Sequence, residues 1–221
     1  MNNQKESKRK VTGKSLIRWA GFFAILAGIL YISIQFIHPA DNIASVNTGL
    51  WVVIACLTSI MSLFSLIGII GIYTRQVEEA GWLGLIGFVF FSLFWVISMN
   101  FSFNEAFVLP LLTSDAPKFV EGILGIFGGT KSAVDLGIFP VLAPIAAVLY
   151  SLGGLLFGIA IFRASVLPRM AGALLSSAAV VTFAAAIIPH PFDRILAVPM
   201  GLALIWLGYA LFSECKRSTG K

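Results

Sequence analysis

Charge is scarce in this sequence. Of its 221 residues only 11% are Asp, Glu, Lys or Arg, while 58% are hydrophobic and the mean hydropathy is +0.95. A soluble domain carries about 25% charged and about 45–50% apolar residues. So few charges cannot coat a chain of this size in water. A soluble fold is therefore excluded, and lipid is the expected solvent. Cysteine is nearly absent too. Cys56 falls inside an expected span and Cys215 just past the last one, at different depths, so they are not expected to pair. There is no CxxC pair, zinc spacing or haem-attachment motif, and no HExxH, GxSxG or phosphate-binding glycine loop. No Asp, Glu, Lys, Arg or His sits in the middle of an expected span, which speaks against an ion-coupled transporter with a midplane carboxylate. A carrier for an apolar or neutral solute stays open.

Long apolar runs are what the chain does have. A helix needs about 20 such residues to cross a hydrocarbon core of about 30 Å. Six segments qualify: roughly 17–37, 50–73, 82–103, 138–162, 170–188 and 195–213. The runs are continuous and do not alternate apolar with polar, so they read as helices, not as barrel strands. The expected fold is all-α: a polytopic membrane protein with six transmembrane helices and one short extracytoplasmic interfacial helix. Residues 1–15 form a basic cytoplasmic tail, 16–213 the membrane domain and 214–221 a second cytoplasmic tail. The first apolar run exceeds the 7–15 residues of a signal-peptide core, and no clear A-x-A site follows it. It reads as an uncleaved signal anchor.

Basic residues set the orientation. Lys5, Lys8, Arg9, Lys10, Lys14 and Arg18 precede or open the first span. With the N-terminus cytoplasmic, the inner segments hold 12 of the 15 Lys and Arg residues, and the outer ones only Lys118, Lys131 and Arg194. Both termini are expected inside a cell membrane. The net charge of +5 follows from this placement. Without an aromatic-interleaved basic motif it implies no nucleic acid. The expected partner is the lipid bilayer with its anionic headgroups, together with a homo-oligomer or a partner membrane subunit.

Several stretches carry finer expectations. His38-Pro39 stops the first helix. The 82–103 span is the most aromatic, with Trp82, Phe88, Phe90, Phe91, Phe94, Trp95, Phe101 and Phe103. It reads as a lipid-facing surface with tryptophan anchors, the alternative being a surface for stacking a ligand. The one long connection, 104–137, is expected to hold a helix over Ala116–Phe127, capped by Ser114 or Asp115 and stopped by Gly128-Gly129. Phe119, Ile123, Ile126 and Phe127 would share its apolar face. Such a helix lies on the outer leaflet or over the bundle. Pro140 and Pro144 predict a kink, and Pro199 a milder one. Gly154-x-x-x-Gly158 and the small residues of 170–188 predict close helix packing. Ser65-Leu66-x-Gly68 onward echoes Ser151-Leu152-x-Gly154 onward, as a parallel repeat would.

Polar residues gather at the outer ends. His38, His190, Glu105 and Asp193 are the candidate metal ligands, since imidazole and carboxylate suit zinc or iron. They would serve equally as an acid–base pocket, and ordinary hydrated loop ends are the plainer reading. Asn100 and Asn104 are the candidate ligand-binding residues. No cofactor follows from the sequence. The run from Arg163 through Ala164-Ser165-Val166-Leu167-Pro168-Arg169 to Met170-Ala171-Gly172, after Gly154–Ile161, resembles the inner turn of a bacterial six-helix integral membrane family of unknown function. The resemblance covers the fourth and fifth spans, implies architecture only, and carries over no site residues. The expected function is a small non-enzymatic carrier or a membrane assembly subunit. The alternative is a membrane-embedded enzyme or metal-binding protein with a polar site at the extracytoplasmic face.

Overall fold

The structure, a computed structural model, describes residues 12–126, 131–182 and 192–217. Among the described residues all regular structure is helical. Five long helices and four shorter ones follow in order: α1 (Gly13–Ile37), α2 (Ile43–Val46), α3 (Gly49–Arg75), α4 (Val77–Phe107), α5 (Leu109–Leu112), α6 (Pro117–Gly125), α7 (Phe139–Ala164), α8 (Arg169–Val181) and, after a 3-10 segment Phe192–Ala197, α9 (Val198–Arg217). The chain supplies caps where helices begin. Thr12 and Ser15 bond reciprocally at the start of α1, Asn42 caps α2 and Thr48 caps α3. His38 lies just past α1, where Pro39 ends the helix.

Five helical segments are long and apolar enough to cross a membrane: α1, α3, α4, α7 and Arg194–Glu214. This is the architecture of a multi-pass membrane protein. The remaining expected span, 170–188, begins with α8, whose 13 described residues reach only about 20 Å at about 1.5 Å each. Residues 183–188 of that span lie outside the described residues, as do Phe127, Gly128 and Gly129.

The helices close into a ring in chain order. Helix α1 packs on α3, α3 on α4, α4 on α7, α7 on α8, α8 on α9, and α9 back on α1. Glycine makes the seams. A Cβ on Gly21 would stand 2.8 Å from both the Gly208 carbonyl oxygen and the Phe212 nitrogen. Gly201 lies as close against the Gly28 carbonyl, Gly153 against Phe91, and Gly172 against Gly158. Small residues let backbones meet, so dispersion and shape hold the ring where lipid offers no hydrophobic drive. The Gly154/Gly158 pair does the packing expected of it, against Ala179 and against Gly172 with Ser176.

Three expectations change. The aromatic face of α4 points mostly inward: Phe91 and Trp95 are fully buried, and Phe94 lies 4.8 Å from Tyr150 between ring centres, while Trp82 and Phe103 remain exposed. Helix α6 has Ala116 as its N-cap, with no side-chain cap from Ser114 or Asp115, because Pro117 opens the helix by its own fixed φ. Pro140 and Pro199 fall in the first turns of α7 and α9, where a missing N–H costs nothing; only Pro144 lies inside a helix.

Helix α6 packs its apolar face over the bundle. Val120 and Ile123 are buried with Val46, Trp51, Phe101, Leu109 and Leu136 in a second small core above one end of the ring. That end, closed by α2, α5 and α6, is the capped end.

Candidate functional site

Two groups of polar residues could carry a function. The first is the set expected at the capped end. Asp41, Trp51 and Arg194 stand around His38. The His38 Nδ1–H donates to the Pro39 carbonyl at 2.8 Å, Asp41 stands 3.9 Å from the same nitrogen, and the ring meets Trp51 edge-on at 5.7 Å. Arg194 donates to the His38 carbonyl at 2.8 Å and approaches Nδ1 at 3.4 Å. The Trp51 indole N–H donates to the Glu105 carbonyl at 3.0 Å, fastening the start of α3 to the end of α4. Helix α4 has 31 residues, and Glu105, partly buried, lies in its last turn.

Of the four expected metal ligands, the structure brings only His38 and Glu105 to this end in describable form. His190 lies outside the described residues, and so does the side chain of Asp193, whose backbone sits in the 3-10 segment. Among the described residues no three His, Cys, Asp or Glu side chains stand where they could hold a metal. Asn100 and Asn104 spend their amides on their own helix, donating to the Val96 carbonyl at 2.8 Å and the Asn100 carbonyl at 2.9 Å. Asn47 accepts from Thr113 at 2.8 Å. The described bonds of this end tie α1, α3, α4 and the segment before α9 together.

The second group lies inside the ring, and the sequence reading missed it. Tyr31 from α1 and Tyr150 from α7 both point into the bundle, although their helices are not neighbours in the ring. The Tyr150 and Thr182 hydroxyls are 3.4 Å apart, and Tyr31 meets Trp95 edge-on at 5.8 Å. Ser62 and Ser98 pair at 3.0 Å between α3 and α4, which fixes the register of these antiparallel helices. By that register Ser65 falls level with Trp95, and Ser92 is one turn from Trp95 on the same helix. The Trp95 indole nitrogen and the Ser65 and Ser92 hydroxyl oxygens are all buried without a protein partner. A buried polar group left unpaired costs about 1–3 kcal/mol, so three within about one turn along the bundle need a reason. They offer donors and hydroxyl acceptors but no charge. The buried polar side chains of the described core (Ser62, Ser65, Gln76, Ser102, Ser151 and Ser176) are likewise uncharged. This neutral polar set lies inside the bundle. One signal for it was in the sequence: Gly84, Gly87, Phe88, Phe91 and Trp95 recur at helical spacing, marking one face of α4.

Comparison with protein-family models, with curated proteins and with solved structures gives no match.

Proposed function

We propose that this chain is a small non-enzymatic carrier for an uncharged, hydrogen-bonding solute. In this reading it crosses the cell membrane six times, with α8 and residues 183–188 completing the fifth crossing. Both termini are cytoplasmic and the capped end faces outward, as the basic residues favour. The likeness of Arg163–Gly172 to a bacterial six-helix family belongs to the same reading. The observation that carries it is the trio of buried, unpartnered polar groups on α3 and α4, at Trp95, Ser65 and Ser92. The assembly-subunit reading has less support, because Gly21, Gly28, Gly87, Gly153, Gly158, Gly172, Gly201 and Gly208 already meet partners within the chain. The enzyme or metal-protein reading draws on His38 and Glu105, whose described contacts are structural ties.

The test is solute entry into proteoliposomes, followed by light scattering over a panel of small polyols, amides and monosaccharides. The expected result is faster entry than into protein-free liposomes for at least one of them, reduced by Trp95→Phe. If no member of the panel enters faster, the carrier reading fails.

A further inference from the structure

The end of the ring opposite the cap carries a cleft that the proposed transport does not use. Helix α4 is broken near its start. Gly81 takes φ 55° and ψ −158°, a left-handed φ that side chains rarely tolerate, and the helix resumes at Trp82. The break opens a cleft of about 380 Å³ between α4 and the end of α7, lined by Glu79, Gly81, Trp82, Ala160 and Arg163 among others. Small-molecule sites begin at about 300 Å³. Glu79 lies in the first turn of α4 and Arg163 in the last turn of α7. Each therefore suits its own helix dipole. Yet the two opposite charges line one cleft without bridging; the described ion pairs are His38–Asp41 and Arg75–Glu214. Trp82 at its rim is 79% exposed, and an exposed tryptophan at a helix end is an anchor at headgroup depth.

We infer that this cleft binds the headgroup of a zwitterionic aminophospholipid, the phosphate against Arg163 and the primary ammonium against Glu79, with Trp82 beside the glycerol and upper acyl chains. An anionic headgroup would satisfy Arg163 but face Glu79 across the cleft. A quaternary ammonium could not donate hydrogen bonds to the carboxylate. The site is separate from the interior trio and stands or falls without it.

The experiment is native mass spectrometry of the full chain in detergent, titrated with phosphatidylethanolamine, phosphatidylcholine and phosphatidylglycerol of matched acyl chains. Phosphatidylethanolamine should be retained best. Because the charge-assisted hydrogen bonds to the phosphate are lost, Arg163→Gln should lower its retention about tenfold or more. Glu79→Gln should remove the preference over phosphatidylglycerol. Both side chains are exposed, so thermal unfolding of the variants should match the parent. Glycerophosphoethanolamine, which has the same headgroup without acyl chains, should not displace the lipid. Equal retention of the three lipids, an unchanged order in both variants, or displacement by the soluble headgroup would overturn the assignment.

Discussion

Gly21→Ala is the sharpest probe of the ring. The added Cβ would meet the Gly208 oxygen and the Phe212 nitrogen at 2.8 Å and the Leu211 Cβ at 3.1 Å. Ordinary contact begins near about 3.5 Å, so α9 must retreat from α1 by roughly 0.7 Å. Two of the three obstacles are backbone, which cannot swing aside. Overpacking costs about 1–3 kcal/mol, and this geometry belongs in the upper half. Alanine returns up to about 1 kcal/mol by favouring helix over glycine. The net loss is about 1–2 kcal/mol, or roughly 2–8 °C in melting temperature for a chain of this length. The assay is thermal unfolding in detergent or nanodiscs, followed by intrinsic fluorescence. Gly49→Ala is the control, since its Cβ meets nothing within 4 Å, and it should melt no lower than the parent. If Gly21→Ala melts at or above the parent temperature, the α1–α9 seam is not where the structure puts it.

Other perturbations have definite signs. Trp51→Phe removes the indole bond to the Glu105 carbonyl and should cost about 0.5–1.5 kcal/mol, read as a lower melting temperature. Arg75→Gln breaks a 2.9 Å pair with Glu214 whose side chains are 39% and 38% exposed. Such a pair contributes about 0–1 kcal/mol, so the melting temperature should barely change.

Hydropathy made the helices legible. The expected 50–73 and 138–162 spans appear as α3 (Gly49–Arg75) and α7 (Phe139–Ala164). Hydropathy reports the solvent of a segment, not its neighbours, so the ring order could not be read from it. The glycines held that information but needed a partner to make it readable: Gly21 means little until Gly208 is seen against it. Between the expected spans 50–73 and 82–103 only Gln76 stands outside a helix, because α4 has an extra turn ahead of Gly81, and a glycine φ is not visible in composition. The aromatic side chains of α4 counted as greasy either way. Only their spacing with Gly84 and Gly87 separated core from lipid. The interior trio escaped because single serines and a tryptophan look ordinary in a membrane helix until their bonding is traced. At the capped end the proximity of His38 to Asp41 followed from the chain, whereas Arg194 reaching His38 across 156 positions did not.

The most direct measurement is the sidedness of both ends of the chain. Tags at the two termini should both be shielded from antibody in intact cells and both exposed on permeabilisation. In a background lacking Cys56 and Cys215, Ala44→Cys, exposed in α2, should react with a membrane-impermeant maleimide from outside. Termini on opposite faces would mean five crossings. A tag reached from outside at both ends, with Ala44→Cys protected, would invert the molecule.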